Sequence, residues 1–169
     1  MKAKLIINNQ ELEVEISEEE YKKLQPAEEK NTGYERVKEN DRYYYANYRG
    51  EVEDNRDERC TWDDDPYNVA NYYSSEEVAE NNARADNLMR QLRRFAVEHR
   101  EKEMDWNNLQ QTKYTITYDY LTDQIMTSSD GACRCFGDIT FTSQVATKAA
   151  IEEFHDELIW YFTEYKDSL

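Results

Sequence analysis

The sequence predicts an α+β fold in which an N-terminal β-hairpin is followed by two similar β-β-β-α units, each with short antiparallel strands and one long helix. Short alternating segments, rich in tyrosine and β-branched residues, recur along the chain and are typical of strands. Two long segments carry apolar residues three and four apart, each behind a serine that can cap a helix. Similar stretches also occur in the two halves, which favours a duplicated unit.

Residues 1–33 are predicted to form a hairpin, a short helix and a linker. Two alternating apolar runs flank a polar turn at residues 8–10, which predicts two antiparallel strands. Ser17 and Glu20 have the spacing of a capping box, and this predicts the start of a short helix. The polar residues 25–33 contain one proline and are the predicted linker.

The first unit is predicted to span residues 34–108. Its expected elements are strands at residues 42–48, 51–53 and 67–73, an acidic loop at 54–66, and a helix at 75–103. Ser75 is the predicted N-cap of this helix. Acids near the start of the helix and arginines toward its end suit the helix dipole.

The second unit is predicted to span residues 109–169. Its expected elements are strands at residues 113–120, 124–127 and 138–142, a loop at 128–137, and a helix at 143–165. The strand at 113–120 is the clearest of these, because its β-branched and aromatic residues alternate with polar ones. Together with residues 1–33, the two units are expected to form one compact domain.

An internal repeat relates the two units. Residues 44–48 match residues 114–118 at an offset of 70, and residues 73–76 match residues 141–144 at an offset of 68. In both units the order is a tyrosine strand, a loop, an aromatic strand and a serine-capped helix. The alternative is that any α+β protein yields matches of this quality.

The composition limits the partners of the chain. Its 169 residues contain 37 acids and 21 bases, a formal net charge of −16 that repels nucleic acid phosphates and anionic lipids. No apolar stretch approaches a membrane span, and we expect no signal peptide. Three cysteines, an odd number, favour a reducing compartment, so we expect a cytoplasmic protein.

The negative charge is concentrated in residues 51–80, which hold eleven acids and two bases. We expect this segment either to contact a basic partner protein or to be a solvated acidic loop. The predicted contact carboxylates are Glu51, Glu53, Asp54, Asp57, Glu58, Asp63, Asp64 and Asp65. Tyr45, Tyr48 and Tyr67 are the predicted aromatic anchors, because tyrosine is frequent at binding hot spots.

No metal site, cofactor site or catalytic residue is predicted. The acidic segment lacks the glycine turn of a calcium loop, and Arg56 would compete with a cation. Cys133 and Cys135 are separated by one residue and Cys60 is distant, so the cysteines do not have zinc-site spacing. A thiol beside Arg134 could have a lowered pKa, although ordinary loop cysteines are the preferred interpretation.

Two further features bear on function. His99 and His155 have no nucleophile near them in sequence, so a structural role is expected for both. The arginines of residues 90–100 either pair with neighbouring acids or form a second binding surface for RNA or an acidic partner.

Several stretches of the chain carry a resemblance to a known group of proteins. They are residues 90–99, 105–108, 113–114 and 118–119, together with 43–45 and 71–72. From residue 34 to 169 the chain resembles small proteins encoded by phages, prophages and other mobile elements of Firmicutes. Some mobile-element proteins of this kind are anti-CRISPR proteins, and several of those are acidic and occupy the DNA-binding surface of the nuclease. The resemblance transfers no active site.

The resemblance implies a non-enzymatic inhibitor that binds a host defence nuclease, most directly a type II CRISPR effector loaded with guide RNA. Such an effector holds its nucleic acids in basic channels, which an acidic protein can occupy. One alternative is a structural or regulatory mobile-element protein with no defence target. Another is a metal-dependent nuclease that acts on guide RNA or DNA.

Overall fold

The computed structural model of the protein describes residues 2–7, 10–15, 17, 31–135 and 137–168. The chain divides into two compact units, Met1–Asn31 and Thr32–Leu169. The second of these compact units contains both of the repeat units predicted from the sequence. In the first unit, β1 (Lys2–Ile7) pairs antiparallel with β2 (Gln10–Glu15). The short helix predicted after Ser17 lies outside the described residues.

The second unit, Thr32–Leu169, is built from two antiparallel hairpins and four helices within the part that the structure describes, which confirms the α+β class. Its elements are β3 (Arg42–Ala46), β4 (Val52–Arg56), α1 (Thr61–Asn68), α2 (Glu76–Glu98), β5 (Lys113–Asp119), β6 (Gln124–Asp130), α3 (Gln144–Glu153) and α4 (His155–Thr163). No helix among the described residues is long and apolar enough to cross a membrane.

Each hairpin of the second unit makes one further backbone pairing outside its own strands. Tyr44 of β3 exchanges two hydrogen bonds of 2.9 Å with Tyr73, just before α2. Tyr114 of β5 exchanges bonds of 3.0 and 2.8 Å with Phe141, just before α3. Both bridges therefore tie the first strand of a hairpin to the chain that enters a helix.

Both of these helices begin at a serine N-cap. The Ser75 hydroxyl accepts a hydrogen bond from the Val78 N–H, and the Ser143 hydroxyl accepts one from the Ala146 N–H. Each bond satisfies one of the N–H groups that the first turn of a helix leaves without a partner. The caps stand at the positions that the sequence predicted.

Within Thr32–Leu169 the first hairpin is β3–β4 and the second hairpin is β5–β6. The main core lies between α2, α3, α4 and the second hairpin. Apolar residues of α2 recur three and four apart, so they form one stripe along the helix. The fully buried members of this core are Leu88, Leu92, Phe95, Ala96, Phe141, Ala146, Ala150 and Leu158. A smaller cluster of Tyr73, Val78 and Ala79 packs against Tyr44 and Val52 of the first hairpin.

The structure corrects the predicted elements of the first half. Residues 54–66 are not a loop, because β4 continues to Arg56 and α1 begins at Thr61. Residues 67–73 are not a strand, since α1 continues to Asn68 and only Tyr73 makes a bridge. Two acids of this segment, Asp63 and Asp64, lie in the first turn of α1, where acids interact favourably with the helix dipole.

The second half also differs from the prediction in two places. In residues 138–142 only Phe141 is paired, so this segment is a single bridge rather than a strand. The last helix is divided at Phe154, which leaves helical geometry at φ −107° and ψ 21°. The Phe154 ring packs edge-on against Phe95 at 5.7 Å between centroids.

Candidate interaction surface

Asp57 follows the end of β4 and its carboxylate is fully buried. It accepts two hydrogen bonds from the Arg36 guanidinium, at 2.8 and 3.1 Å, and one of 2.9 Å from the Tyr72 hydroxyl. The Arg59 backbone N–H donates a further bond of 2.9 Å. Hydrogen bonds from Arg36 outweigh burial and lower the pKa of Asp57 to about 2. This carboxylate is therefore charged and internally satisfied.

Asp63 is the second buried carboxylate, on the first turn of α1. It accepts hydrogen bonds from the Tyr43 hydroxyl at 3.1 Å, from the Glu58 N–H at 2.8 Å and from the Cys60 N–H at 3.2 Å. Burial alone would raise its pKa, but the bonds from Cys60 and its other donors hold the pKa below its usual value. Asp63 thus anchors α1 to the end of β4.

Two stacked tyrosines link these carboxylates. The rings of Tyr43 and Tyr72 lie 4.2 Å apart between centroids and only 11° from parallel. One hydroxyl reaches Asp63 and the other reaches Asp57. Burial raises the pKa of Tyr43 to about 12. The pKa of Tyr72 is raised mainly by burial and also by its hydrogen bond to Asp57. Both hydroxyls therefore remain protonated donors at neutral pH.

The sequence prediction that Asp57 and Asp63 contact a partner is wrong for a physical reason. Both are almost completely inaccessible and already saturated with donors from their own chain. Asp64 is also partly withdrawn, because the Arg36 guanidinium lies 2.7 Å from its carboxylate. The sequence prediction did not take account of Arg36, which lies 21 residues before Asp57. Its guanidinium supplies the positive charge that these acids bind within the protein itself.

The remaining predicted carboxylates are exposed. Glu51, Glu53 and Asp54 lie on or beside β4, which has no second strand partner among the described residues and is therefore an outer edge. Glu58 and Asp65 are exposed as well. We call these five residues the acidic edge.

Contacts within the first hairpin fix part of the acidic edge. Glu53 accepts hydrogen bonds from the Tyr45 hydroxyl at 2.8 Å and from the Asn47 amide at 2.7 Å. Both bonds lower the pKa of Glu53, and the bond from Asn47 has the larger effect. Asp54 forms an exposed ion pair of 3.3 Å with Arg42. Glu53 and Asp54 therefore have partly fixed positions on the acidic edge.

The aromatic residues of this region differ in availability. Tyr48 is 88% exposed at the β3–β4 turn, and Trp62 is 82% exposed on α1. Tyr45 is half-buried and bonded to Glu53, while Tyr67 lies beneath the Arg36 guanidinium and edge-on to Tyr72. Of the three predicted anchors, Tyr48 is thus the most accessible.

Trp62 is an exposed aromatic residue that the sequence prediction missed. It lies in residues 54–66, whose polar and acidic composition predicts a loop and not a helix surface. On α1, Trp62 and Asp65 are three residues apart, so both lie on one exposed side of the helix. A large exposed aromatic ring beside acids is typical of a protein interface.

The cysteine loop of the second half does not have the environment of an activated thiol. The Asp130 carboxylate raises the pKa of the Cys133 thiol, and the Asp138 carboxylate raises that of Cys135. The Arg134 guanidinium instead lies over the Trp106 ring, 4.8 Å from its centroid. The possibility of a thiol activated by Arg134 is therefore not supported by the structure.

Neither histidine has a nucleophilic partner in the described contacts. The His99 ring stacks on Phe95 at 3.8 Å between centroids, and its Nδ1 lies 3.0 Å from the Phe95 carbonyl. His155 is exposed beside Asp156. Among the described residues, no three histidine, cysteine, aspartate or glutamate side chains are grouped so as to hold a metal ion.

No protein-family model, curated protein or solved structure matches this chain. Its function must therefore be inferred from the side chains that it presents.

Proposed function

We propose that this protein is a non-enzymatic acidic inhibitor, encoded by a phage or other mobile element, that binds the basic nucleic-acid-binding surface of a host defence nuclease. A guide-loaded type II CRISPR effector in the host cytoplasm is the nuclease that this proposal favours. The observation that carries the proposal is the acidic edge, five exposed carboxylates within residues 51–65, together with the highly exposed rings of Tyr48 and Trp62.

Charge complementarity supports a partner of this kind. A protein with a net charge of −16 is attracted to large basic surfaces, and in cells these belong mainly to nucleic-acid-binding proteins. Carboxylates can take the place of phosphates on arginine side chains, often through paired hydrogen bonds. CRISPR effectors supply such arginines along the channels that hold their duplexes.

The exposed aromatics provide the part of the binding energy that charge does not. Tyr48 and Trp62 would bury apolar area at a contact, whereas exposed ion pairs contribute little after desolvation. The proposed contact set is therefore the acidic edge together with Tyr48 and Trp62, with Tyr45 and Tyr67 at its margin. Asp57, Asp63 and Asp64 hold the scaffold beneath it.

We also propose that residues 34–108 and 109–169 are two copies of one unit, in which a two-stranded hairpin is bridged to the residue that precedes a serine-capped helix. The support is the pair of matched bridges, Tyr44 with Tyr73 and Tyr114 with Phe141, each followed by a serine-capped helix. The residues of each bridge correspond at the offsets seen in the sequence. The contact set lies wholly within the first copy.

A charge-reversal experiment tests the proposed function. The triple variant Glu51→Lys, Asp54→Lys, Asp65→Lys changes the net charge by six and leaves the buried network intact. The matched control is Glu152→Lys, Glu153→Lys, Asp156→Lys, which makes the same change on exposed acids of α3 and α4. Binding of each protein to an immobilised guide-loaded effector is measured at low and at physiological salt.

We expect the first triple variant to lose binding by at least tenfold, while the control loses less than threefold. Wild-type binding should also weaken as salt rises, because exposed charges are screened. An equal loss of binding in both variants would mean that only net charge matters. It would contradict the proposal that the acidic edge is a specific contact surface. Absence of binding to several effectors would favour a regulatory mobile-element protein, and guide RNA shortened by the protein would favour a nuclease.

A further inference from the structure

The two hairpins differ at one backbone position that their shared geometry makes directly comparable. In the first hairpin, the Asn71 side-chain amide accepts a hydrogen bond of 2.9 Å from the Ala46 N–H and donates one of 2.8 Å to the Ala46 carbonyl. Ala46 is two residues beyond the bridge residue Tyr44, so its backbone groups point to the same side of the strand. Asn71 therefore closes the edge of β3.

In the second hairpin the corresponding position is open. Ile116 is two residues beyond the bridge residue Tyr114, so its N–H and carbonyl point toward the segment that contains Phe141. The residue opposite is Ile139, whose side chain, unlike that of Asn71, has no amide group. Among the described residues no hydrogen bond closes this side of Ile116. The Ile116 N–H and carbonyl are thus the backbone groups of β5 that an added strand would have to reach.

A largely apolar cavity of about 280 Å³ adjoins this open edge. It lies between β5, the segment before Phe141, and helices α2 and α4. Its apolar lining includes Ile116, Ile139, Leu88, Leu92, Leu158 and Phe162. A cavity of about 150 Å³ is enough for a benzene molecule, so this one can hold an apolar side chain.

Two arginines stand at one end of the apolar cavity. A second pocket, lined by Arg93 and Arg134, shares Gly137 and Asp138 with it, so the two pockets are adjacent. Within the part of the chain that the structure describes, neither arginine has a carboxylate within 4 Å. The Asp138 carboxylate accepts a bond of 3.2 Å from the Cys135 N–H. In a strongly acidic protein, two arginines left without such a partner form a local site for an anion.

We propose that this site binds an extended acidic peptide segment by strand addition. The peptide backbone would pair with the Ile116 N–H and carbonyl, as in β-augmentation. One apolar side chain would enter the cavity, and a carboxylate near it would meet Arg93 and Arg134. The site is separate from the acidic edge and prefers a ligand of the opposite charge, so it extends the function proposed above and does not depend on it.

The test uses a fluorescein-labelled peptide of alternating glutamate and leucine, flanked by glycines, and fluorescence anisotropy with the full chain. A peptide of alternating lysine and leucine is the probe control. We expect at least tenfold tighter binding of the acidic peptide. Equal binding of the two peptides, or no binding of the acidic one, would overturn the proposal.

Two variants test the separate parts of the site. Arg93→Glu should reduce acidic-peptide binding at least tenfold, whereas Arg100→Glu makes the same charge change outside the pocket and should reduce it less than threefold. Ile139→Asn should close the edge as Asn71 does in the first hairpin and abolish binding, with Ile139→Val retaining it. If Ile139→Asn strongly lowers the melting temperature, its binding result is not used. Arg93→Glu, which changes an exposed side chain, then tests the site by itself. Unchanged binding by Arg93→Glu would contradict the site.

Discussion

The two hairpins of the second unit, Thr32–Leu169, stabilise their surroundings with buried groups of opposite charge. Near the first hairpin, the buried carboxylates of Asp57 and Asp63 gather N–H and O–H donors from the residues around them. At the base of the second, the buried ammonium of Lys113 donates to the backbone carbonyls of Asn108, Gln111 and Gly131 at 3.0, 3.0 and 3.1 Å. Similar strands are thus tied to their loops by different chemistry.

The difference has a structural reason in each case. The Asp57 site includes a guanidinium, so the carboxylate has a counter-charge and can be ionised while buried. Lys113 has no carboxylate among its described partners and depends on carbonyl dipoles that must converge from two loops. Gly131 allows this convergence, because a Cβ at that position would lie 2.6 Å from the Leu109 carbonyl oxygen. The carboxylate network also lies within residues 51–65, the segment of the acidic edge, whereas Lys113 does not.

The largest expected effect comes from removing the buried carboxylate. Asp57→Ala should lower the free energy of unfolding by about 3–5 kcal/mol, because Arg36 and Tyr72 lose their shared acceptor. Urea denaturation measures this, with exposed Asp65→Ala as the control. A loss below about 1 kcal/mol would show that the network is not a principal support of the first hairpin.

The lysine site should be the next most sensitive. Lys113→Met keeps the length of the side chain but removes three donated hydrogen bonds, and we expect a loss of about 2–3 kcal/mol in the free energy of unfolding. Exposed Lys148→Met is the control in the same urea titration. Equal stability of the two variants would mean that the buried ammonium contributes nothing to the second hairpin.

Acid should distinguish the carboxylate network from the rest of the fold. The pKa of Asp57 in the folded protein is about 2, below its ordinary value of 3.8. A lowered pKa contributes stability that is complete above the ordinary value and is lost as pH falls toward the folded value. The stability difference between wild type and Asp57→Asn should therefore shrink between about pH 5 and pH 2. Thermal melts across this range measure it, and a constant difference would contradict the assigned charge state.

A smaller effect is expected at the residue that closes the first edge. Asn71→Ala removes two hydrogen bonds to Ala46 and should cost about 1–2 kcal/mol in the free energy of unfolding. Asn68→Ala, at the exposed end of α1, is the control. An unchanged stability would mean that the edge of β3 needs no closure and would weaken its contrast with β5.

Local patterns predicted much of this fold. Ser75 and Ser143 are predictable as caps because each precedes helical apolar spacing. Tyrosine content predicts the strand at Tyr44, and alternation predicts the strand at Tyr114. The helix α1 was not predicted, because a run of three aspartates near a proline was interpreted as a loop. Tertiary contacts with Tyr43 and the Glu58 N–H give Asp63 a buried position that no local pattern encodes.

The candidate surface was only partly predictable for the same reason. Acid content located the segment, but separating exposed Glu51 from buried Asp57 requires knowing where Arg36 lies, and Arg36 is distant in sequence. Trp62 became visible as an anchor only once α1 had placed it on an exposed side. Charge composition therefore predicted the region, and the packing decided which of its residues are available.

The most direct test of the central claim is a DNA-cleavage assay in which the protein is added before or after target DNA to a guide-loaded type II effector. We expect inhibition when the protein is added first and little inhibition when DNA is already bound. We also expect loss of inhibition in the triple variant Glu51→Lys, Asp54→Lys, Asp65→Lys. Inhibition that is equal in both orders and survives the triple variant would contradict competition by the acidic edge.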